Sequence, residues 1–333
     1  MRSLLLGLVS LFLLISCSEE DVQLKYTLRG RAQGTTYSIV YMASAGKDFH
    51  TQVDSILFEV DRSLSAWNPN STLSKVNSGE LDSVTDPLFI TCIQAGQRIS
   101  RETGGAFDMT VGPLVNYWGF GAEQRGELDS AVVDSLLKLT GFYNLRMGSD
   151  GKLIRPKGLK IDVNAIAQGY SVDLLAEWLD ARGISNYLIE VGGEMKARGV
   201  NLEGNPWIVG IDKPSEEIQE QRFQVIVNLD SASLATSGNY RKFFVDSISG
   251  IKFSHTIDPK TGYPARDRLL SVSIVTSSCM DADAIATACM VMGLDKAKAF
   301  VQSRSDVEAY FVFGGLTGDW EVWSTEGFDA MVH

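Results

Sequence analysis

Histidine is scarce, with three in 333 residues, at 50, 255 and 333, so histidine-based acid–base chemistry has few places to reside. Cysteine is nearly as scarce. None of the four, at 17, 92, 279 and 289, is paired at the spacing of a zinc or dithiol motif. Only 8 prolines, no repeat and no low-complexity tract exclude a disordered or collagen-like chain, and 44% hydrophobic content is that of a folded protein. Positive charge is short as well: 30 Lys and Arg stand against 41 Asp and Glu, a formal net charge of -11. That balance excludes the basic surface that non-specific nucleic-acid binding needs, so no nucleic-acid partner is expected. It leaves room for a phosphorylated small molecule, because a metal ion can supply the missing charge.

The one long apolar run, Leu4 to Ile15, is too short to span a bilayer comfortably. It follows Met1-Arg2-Ser3 and ends Leu14-Ile15-Ser16-Cys17, the charged start and short apolar core of a secretory signal. The ending resembles the lipobox of bacterial lipoproteins. That resemblance implies a signal peptide over 1–16, acylation of Cys17, and an exported, periplasm-facing protein anchored to a bacterial membrane without spanning it. Residues 17–23 then read as a tether and 24–333 as one contiguous catalytic unit. Cys92, Cys279 and Cys289 read as packed structural residues, since a free thiol behaves as a small hydrophobe.

Periodicity predicts two strands around a turn in 24–42 and an amphipathic helix over 49–64. Asp86-Pro87 is a helix start, with the helix running to the Gly104-Gly105 stop. A short helix over 130–139, a hairpin across Gly148 to Gly151, and a strand (159–163), helix (166–179), strand (187–191) unit follow. Residues 207–278 read as short strands and turns and 281–292 as a final apolar-faced helix, followed by 294–304 and a strand over 307–313. The class is α+β, mixed sheets with packed helices.

Four short stretches carry candidate chemistry. His255 precedes Asp258-Pro259-Lys260-Thr261-Gly262, which is turn chemistry, so its ring is held beside a rigid loop in either a structural or an acid–base role. Asp283 and Thr287 are four apart on one helix face with small residues between them, a hard oxygen pair suited to Mg²⁺ and unsuited to zinc. Asp281 fits a helix-capping role. Asp162 to Tyr170 reads as a strand end opening a helix, where backbone N–H groups favour anions. Trp67, in Ala66-Trp67-Asn68-Pro69, offers a flat face to a heteroaromatic ring.

The order of these stretches resembles the ApbE family of bacterial flavin transferases. The resemblance runs through Gly34-Thr35-Thr36-Tyr37, Leu64 to Ser71, Gly104 to Leu114, Trp118-Gly119-Phe120, Asp162 to Asp173, Glu190 to Glu194, Ala235 to Tyr240, His255 to Gly262 and Ala282 to Thr287. It implies an ApbE-like, T-fold-related architecture and an enzyme that moves the FMN part of FAD to a threonine hydroxyl of a target protein, releasing AMP. It also implies Mg²⁺ on Asp283, Thr287 and the Ala165 carbonyl, and FAD contacts at Gln33, Trp67, Ala106, Phe107, Asp108, Asp162, Gln168 and Thr256. Positions 33 and 168 depart from the family's usual Met and Lys or Glu. The implied partner is a threonine-bearing subunit of a membrane redox complex.

A threonine hydroxyl needs a base, and an imidazole of ordinary pKa near 6.5 suits the task; His255 is assigned that role, with Asp258 as orienter or alternative base. Three other readings stay open: an FAD pyrophosphatase giving FMN and AMP, a non-catalytic flavin-binding lipoprotein, and a generic periplasmic ligand-binding lipoprotein.

Overall fold

The computed structural model describes residues 22–121, 129–214, 223–239, 243–245, 252–315 and 319–333. The predicted signal peptide, Cys17 and most of the tether lie outside the described residues. Strands β1 (Leu24–Ala32) and β2 (Thr35–Ala43) form the first hairpin, around Gln33-Gly34. Helices α1 (His50–Leu64), α2 (Thr72–Ser78), α3 (Pro87–Glu102), α4 (Gly112–Tyr117) and α5 (Ser130–Leu137) precede a small ribbon, β3 (Arg146–Met147) with β4 (Leu153–Ile154). Helix α6 (Ala167–Asp180) leads into β5 (Tyr187–Val191) and β6 (Glu194–Arg198), then the ribbon β7 (Trp207–Asp212) and β8 (Phe223–Leu229). After β9 (Ser233–Gly238) come the ribbon β10 (Phe243–Val245) and β11 (Lys252–Ser254), then β12 (Leu269–Thr276), α7 (Cys279–Met292), α8 (Leu294–Gln302), β13 (Glu308–Gly314), β14 (Trp320–Ser324) and α9 (Glu326–Asp329).

Eight strands make one sheet in the order β1-β2-β5-β6-β9-β12-β13-β14, and every pairing in it is antiparallel. Alternation along each strand feeds two cores. Ile39, Tyr41 and Ile189 face α1 and α6, while Met42, Leu234 and Val275 face the β7–β8 ribbon with Trp207, Val209 and Val227. The fold is α+β, as the sequence indicates.

Helix α7 sits deepest. Its run of Ala282, Ala284, Ala286 and Ala288 is buried together with Ile285, Cys289 and Met290, so it is apolar on nearly every side. The small side chains let it pack closely on β9, β12 and α6. At the α6 crossing only glycine fits: a Cβ on Gly169 would stand 2.3 Å from the Cys279 carbonyl oxygen. Cys92, Cys279 and Cys289 are buried free thiols in this packing, as expected.

The α3 start is as read: Asp86 accepts from the Leu88 and Phe89 N–H groups, with Pro87 opening the helix. Elsewhere the structure corrects the expectation. Residues 159–163 form no strand. Leu159, Ile161 and Val163 are buried, but the backbone is satisfied by Asn77, which bonds both the N–H and carbonyl of Ile161, and by Met109, whose carbonyl accepts from Asp162. A side-chain amide replaced the strand partner that the apolar alternation suggested. The α7 cap is Ser278, whose hydroxyl accepts from the Asp281 N–H, and Asp281 instead pairs with Arg98 at 2.6 Å. Residues 142–144 coil as a 3₁₀ turn, which shortens the hairpin to β3 and β4.

Candidate active site

The helix layer and the ends of the central strands enclose a cleft of about 850 Å³. It gathers Gln33, Trp67, Ala106, Phe107, Asp108, Asp162, Ala165, Gln168, His255, Thr256, Asp283 and Thr287, drawn from six separate stretches of sequence. Asp258 is not among the lining residues. Its carboxylate accepts from the Lys260 N–H at 2.8 Å and its carbonyl accepts from Gly262, so it builds the turn behind His255.

The floor is α7. Asp283 is 6% exposed, and burial pushes its carboxyl up from 3.8 to about 7, against the opposing bond from the Gly169 N–H at 3.2 Å. One turn on, the Thr287 hydroxyl lies 3.0 Å from the Ser237 hydroxyl of β9. Ala165 lines the cleft just before α6. No group of three or more His, Cys, Asp or Glu gathers among the described residues, and Asp283, Thr287 and the Ala165 backbone together supply one carboxylate and neutral oxygens. A hard cation fits it: a desolvated carboxylate that resists ionisation alone is stabilised by a divalent charge, and hydroxyl and carbonyl oxygens complete a Mg²⁺-type donor set.

The β1–β2 turn and the 106–111 turn form one side wall. Gln33 adopts φ +53, rare for a residue with a side chain, and its Nε2 donates to Ser171 Oγ at 2.5 Å. Its Oε1 is buried without a hydrogen-bond partner, an acceptor left for a ligand donor. Asp108 spends its carboxylate on the fold, accepting from the Thr110 N–H and hydroxyl and from the Phe142 N–H; burial nonetheless pushes its carboxyl up. Asp162 is likewise pushed up by burial, with the Asn164 N–H opposing.

Another wall is formed by the 255–262 loop. His255 is half-buried, edge-on to Phe120 at 6.3 Å between ring centres. Thr256 is buried and donates to Asn239 Oδ1 at 3.0 Å. The loop is pinned from behind by Trp118, whose indole N–H donates to the Gly262 carbonyl at 2.8 Å, and by packing of Ile257 with Leu114, Trp118 and Val133. Trp67 stands at the mouth, 64% exposed, and does not itself close the cleft to water. The sequence reading passed over Thr236, Ser237 and Glu194, which also line the cleft. The signal for Ser237 was present: its stretch matches the family series and is polar at the end of a buried strand.

The ApbE family profile matches residues 33–311. A protein of Vibrio cholerae called FAD:protein FMN transferase is 36% identical over 313 residues, spanning 91% of this chain and 92% of its own. The Escherichia coli K12 protein of the same name is 33% identical over 296 residues, covering 86% and 83%. Among solved structures, the flavin transferase ApbE from Vibrio cholerae superposes with a TM-score of 0.81 at 32% identity, covering 93% of this chain and 100% of that one. The apo form of the Pseudomonas stutzeri flavinyl transferase ApbE also gives 0.81 at 32% identity, covering 93% and 97%.

Proposed function

Because the chain belongs to the ApbE family and is a transferase, we propose that it moves the FMN moiety of FAD to a threonine hydroxyl of an exported acceptor protein with Mg²⁺, releasing AMP. The observation that carries the reading is a single cleft that gathers a buried carboxylate–hydroxyl corner, an imidazole and an unpartnered amide oxygen. In this reading the cleft takes up FAD, and Gln33 Oε1 accepts one of its N–H or O–H donors. His255 takes the proton of the threonine hydroxyl as its oxygen attacks the FMN-side phosphorus. The phosphorus–oxygen bond to AMP breaks, and AMP leaves with that oxygen. Asp283, Thr287 and the Ala165 carbonyl would hold Mg²⁺, which would supply Lewis-acid polarisation and charge neutralisation for phosphoryl transfer.

No Lys or Arg is among the described residues that line the cleft, so a pyrophosphate there would need a metal to balance its charge. The lipobox-like start further supports export and anchoring through Cys17, which places the acceptor at a membrane surface, consistent with a redox-complex subunit. No helix among the described residues is long and apolar enough to cross a membrane.

The test mixes the full chain in detergent with FAD, Mg²⁺ and a threonine-bearing acceptor domain, with EDTA and acceptor-free controls. Flavin fluorescence on the denatured acceptor with matching AMP, abolished by EDTA, is expected. Equal FMN and AMP with an unlabelled acceptor would indicate a hydrolase, and bound but intact FAD a carrier.

A further inference from the structure

We infer that the buried carboxylate of Asp173, together with Lys196, is a positioning group for the metal corner, setting the affinity of Asp283 and Thr287 for a divalent cation without touching it. The inference rests on the reading above that this corner holds Mg²⁺.

Asp173 lies on α6, 8% exposed, and faces the first turn of α7. Its Oδ1 accepts from Lys196 Nζ at 2.7 Å and from the Cys279 N–H at 3.1 Å. Its Oδ2 accepts from the Ser278 hydroxyl and the Met280 N–H, each at 2.9 Å. Lys196, on β6, also donates to the Ser277 carbonyl at 2.9 Å. One carboxylate thus ties three elements together at the point where α7 begins. Ser278 caps only the Asp281 N–H, and Asp173 takes the two donors before it, so the first turn of α7 is capped from α6 and its position along α6 is set by that carboxylate.

The geometry transmits that tie to the site. Asp173 is one turn beyond Gly169 on α6, and Asp283 is one turn beyond Cys279 on α7. The helices therefore meet at two rungs running in opposite directions: Asp173 with the start of α7, and the Gly169 N–H with Asp283 Oδ2 at 3.2 Å. Between the rungs there is no slack, since a Cβ at Gly169 would stand 2.3 Å from the Cys279 oxygen and 2.9 Å from the Asp283 Cβ. A shift of α7 along α6 at the first rung must move the Asp283 carboxylate at the second. It would also change the spacing between Asp283 and the Ala165 carbonyl, which precedes α6. A donor set of one charge and neutral oxygens depends on that spacing more than a cluster of carboxylates would.

The test is Mn²⁺ binding by the full chain in detergent with FAD and no acceptor, read from the free-ion resonance signal, beside the Mg²⁺ dependence of transfer. Asp173→Asn keeps the shape but turns an amide N–H₂ toward donors. We expect its midpoint for both metals to rise at least tenfold, with FAD affinity and the rate at saturating Mg²⁺ within about threefold of wild type. Lys196→Met removes one leg and is expected to raise the midpoint about threefold. A role in stability alone would lower the melting temperature and leave both midpoints in place, and that result overturns the inference. Should Asp173→Asn fail to fold, an unchanged midpoint in Lys196→Met overturns it equally. Asp283→Ala separates the two claims. Wild-type Mn²⁺ binding in that variant would refute the metal corner itself, whereas lost binding there with an unmoved Asp173→Asn midpoint would refute only the positioning role.

Discussion

The wall of the cleft that carries Asp283 and Thr287 and the wall that carries His255 are held in place by different means. The first is a fourteen-residue helix buried on nearly every side, locked to α6 at Gly169 and Asp173. The second is a loop, tied by its own turn bonds, by one indole–carbonyl bond and by a satellite apolar cluster of Leu114, Trp118, Val133 and Ile257. A metal site gains from rigid donors, because affinity depends on fixed oxygen spacing. On the proposed reading, in which His255 meets the hydroxyl of a separate protein, a base gains from standing on a surface loop. The same division decides how each wall should respond to mutation.

The largest effects should come from removing each wall's working group. Asp283→Ala is expected to reduce transfer on the order of 10³-fold or more and to remove the response to Mg²⁺. His255→Ala is expected to cost roughly 10²–10⁴-fold while FAD binding is retained. Both are read by single-turnover AMP release, and a His255→Ala enzyme of wild-type rate would refute the base assignment.

The buried wall also makes a pH prediction. The carboxyl of Asp283 is raised from 3.8 to about 7, so the folded protein binds this proton more tightly than the unfolded chain. Its stabilising contribution is full below about pH 4 and is lost as pH rises through 7, a loss of about 4 kcal/mol at most. Metal-free protein should therefore melt lower at pH 8 than at pH 5.5, and Asp283→Asn should melt several degrees higher than wild type at pH 8. Equal melting temperatures for the two proteins at pH 8 would contradict the burial account.

The loop wall yields smaller changes. Trp118→Phe deletes the bond to the Gly262 carbonyl and should cost about 1 kcal/mol of stability and roughly tenfold in transfer rate, with the Mg²⁺ midpoint unmoved. Asp258→Asn, which alters a turn bond of a residue that does not line the cleft, should change the rate by less than about threefold. A loss as deep as that of His255→Ala would restore Asp258 to the reaction.

How legible each wall was in the sequence follows from the same contrast. Asp283 and Thr287 announce themselves because helical spacing alone puts them on one face, and Asp86-Pro87 marks α3 because capping is local chemistry. His255 was visible through its rarity and its neighbouring turn residues. Long-range arrangements were not visible. Nothing in Leu159 to Val163 shows that Asn77, 84 residues away from Ile161, would take the place of a neighbouring strand. Nothing near Asp173 shows that its partners would be Lys196 and the start of α7. Helix α2 was passed over because seven residues carry too little periodicity, although Ser71 caps it. Asp281 was placed at the cap because an acidic residue near a helix start suits both roles, and only the fold brings Arg98 to it.

The most direct test of the two-wall account is single-turnover AMP release with acceptor present, followed across a Mg²⁺ titration in His255→Ala and Asp283→Ala side by side. The account predicts that His255→Ala turns over slowly with a wild-type Mg²⁺ midpoint, whereas Asp283→Ala shows no saturable Mg²⁺ response. A shifted midpoint in His255→Ala, or a wild-type midpoint in Asp283→Ala, would contradict it.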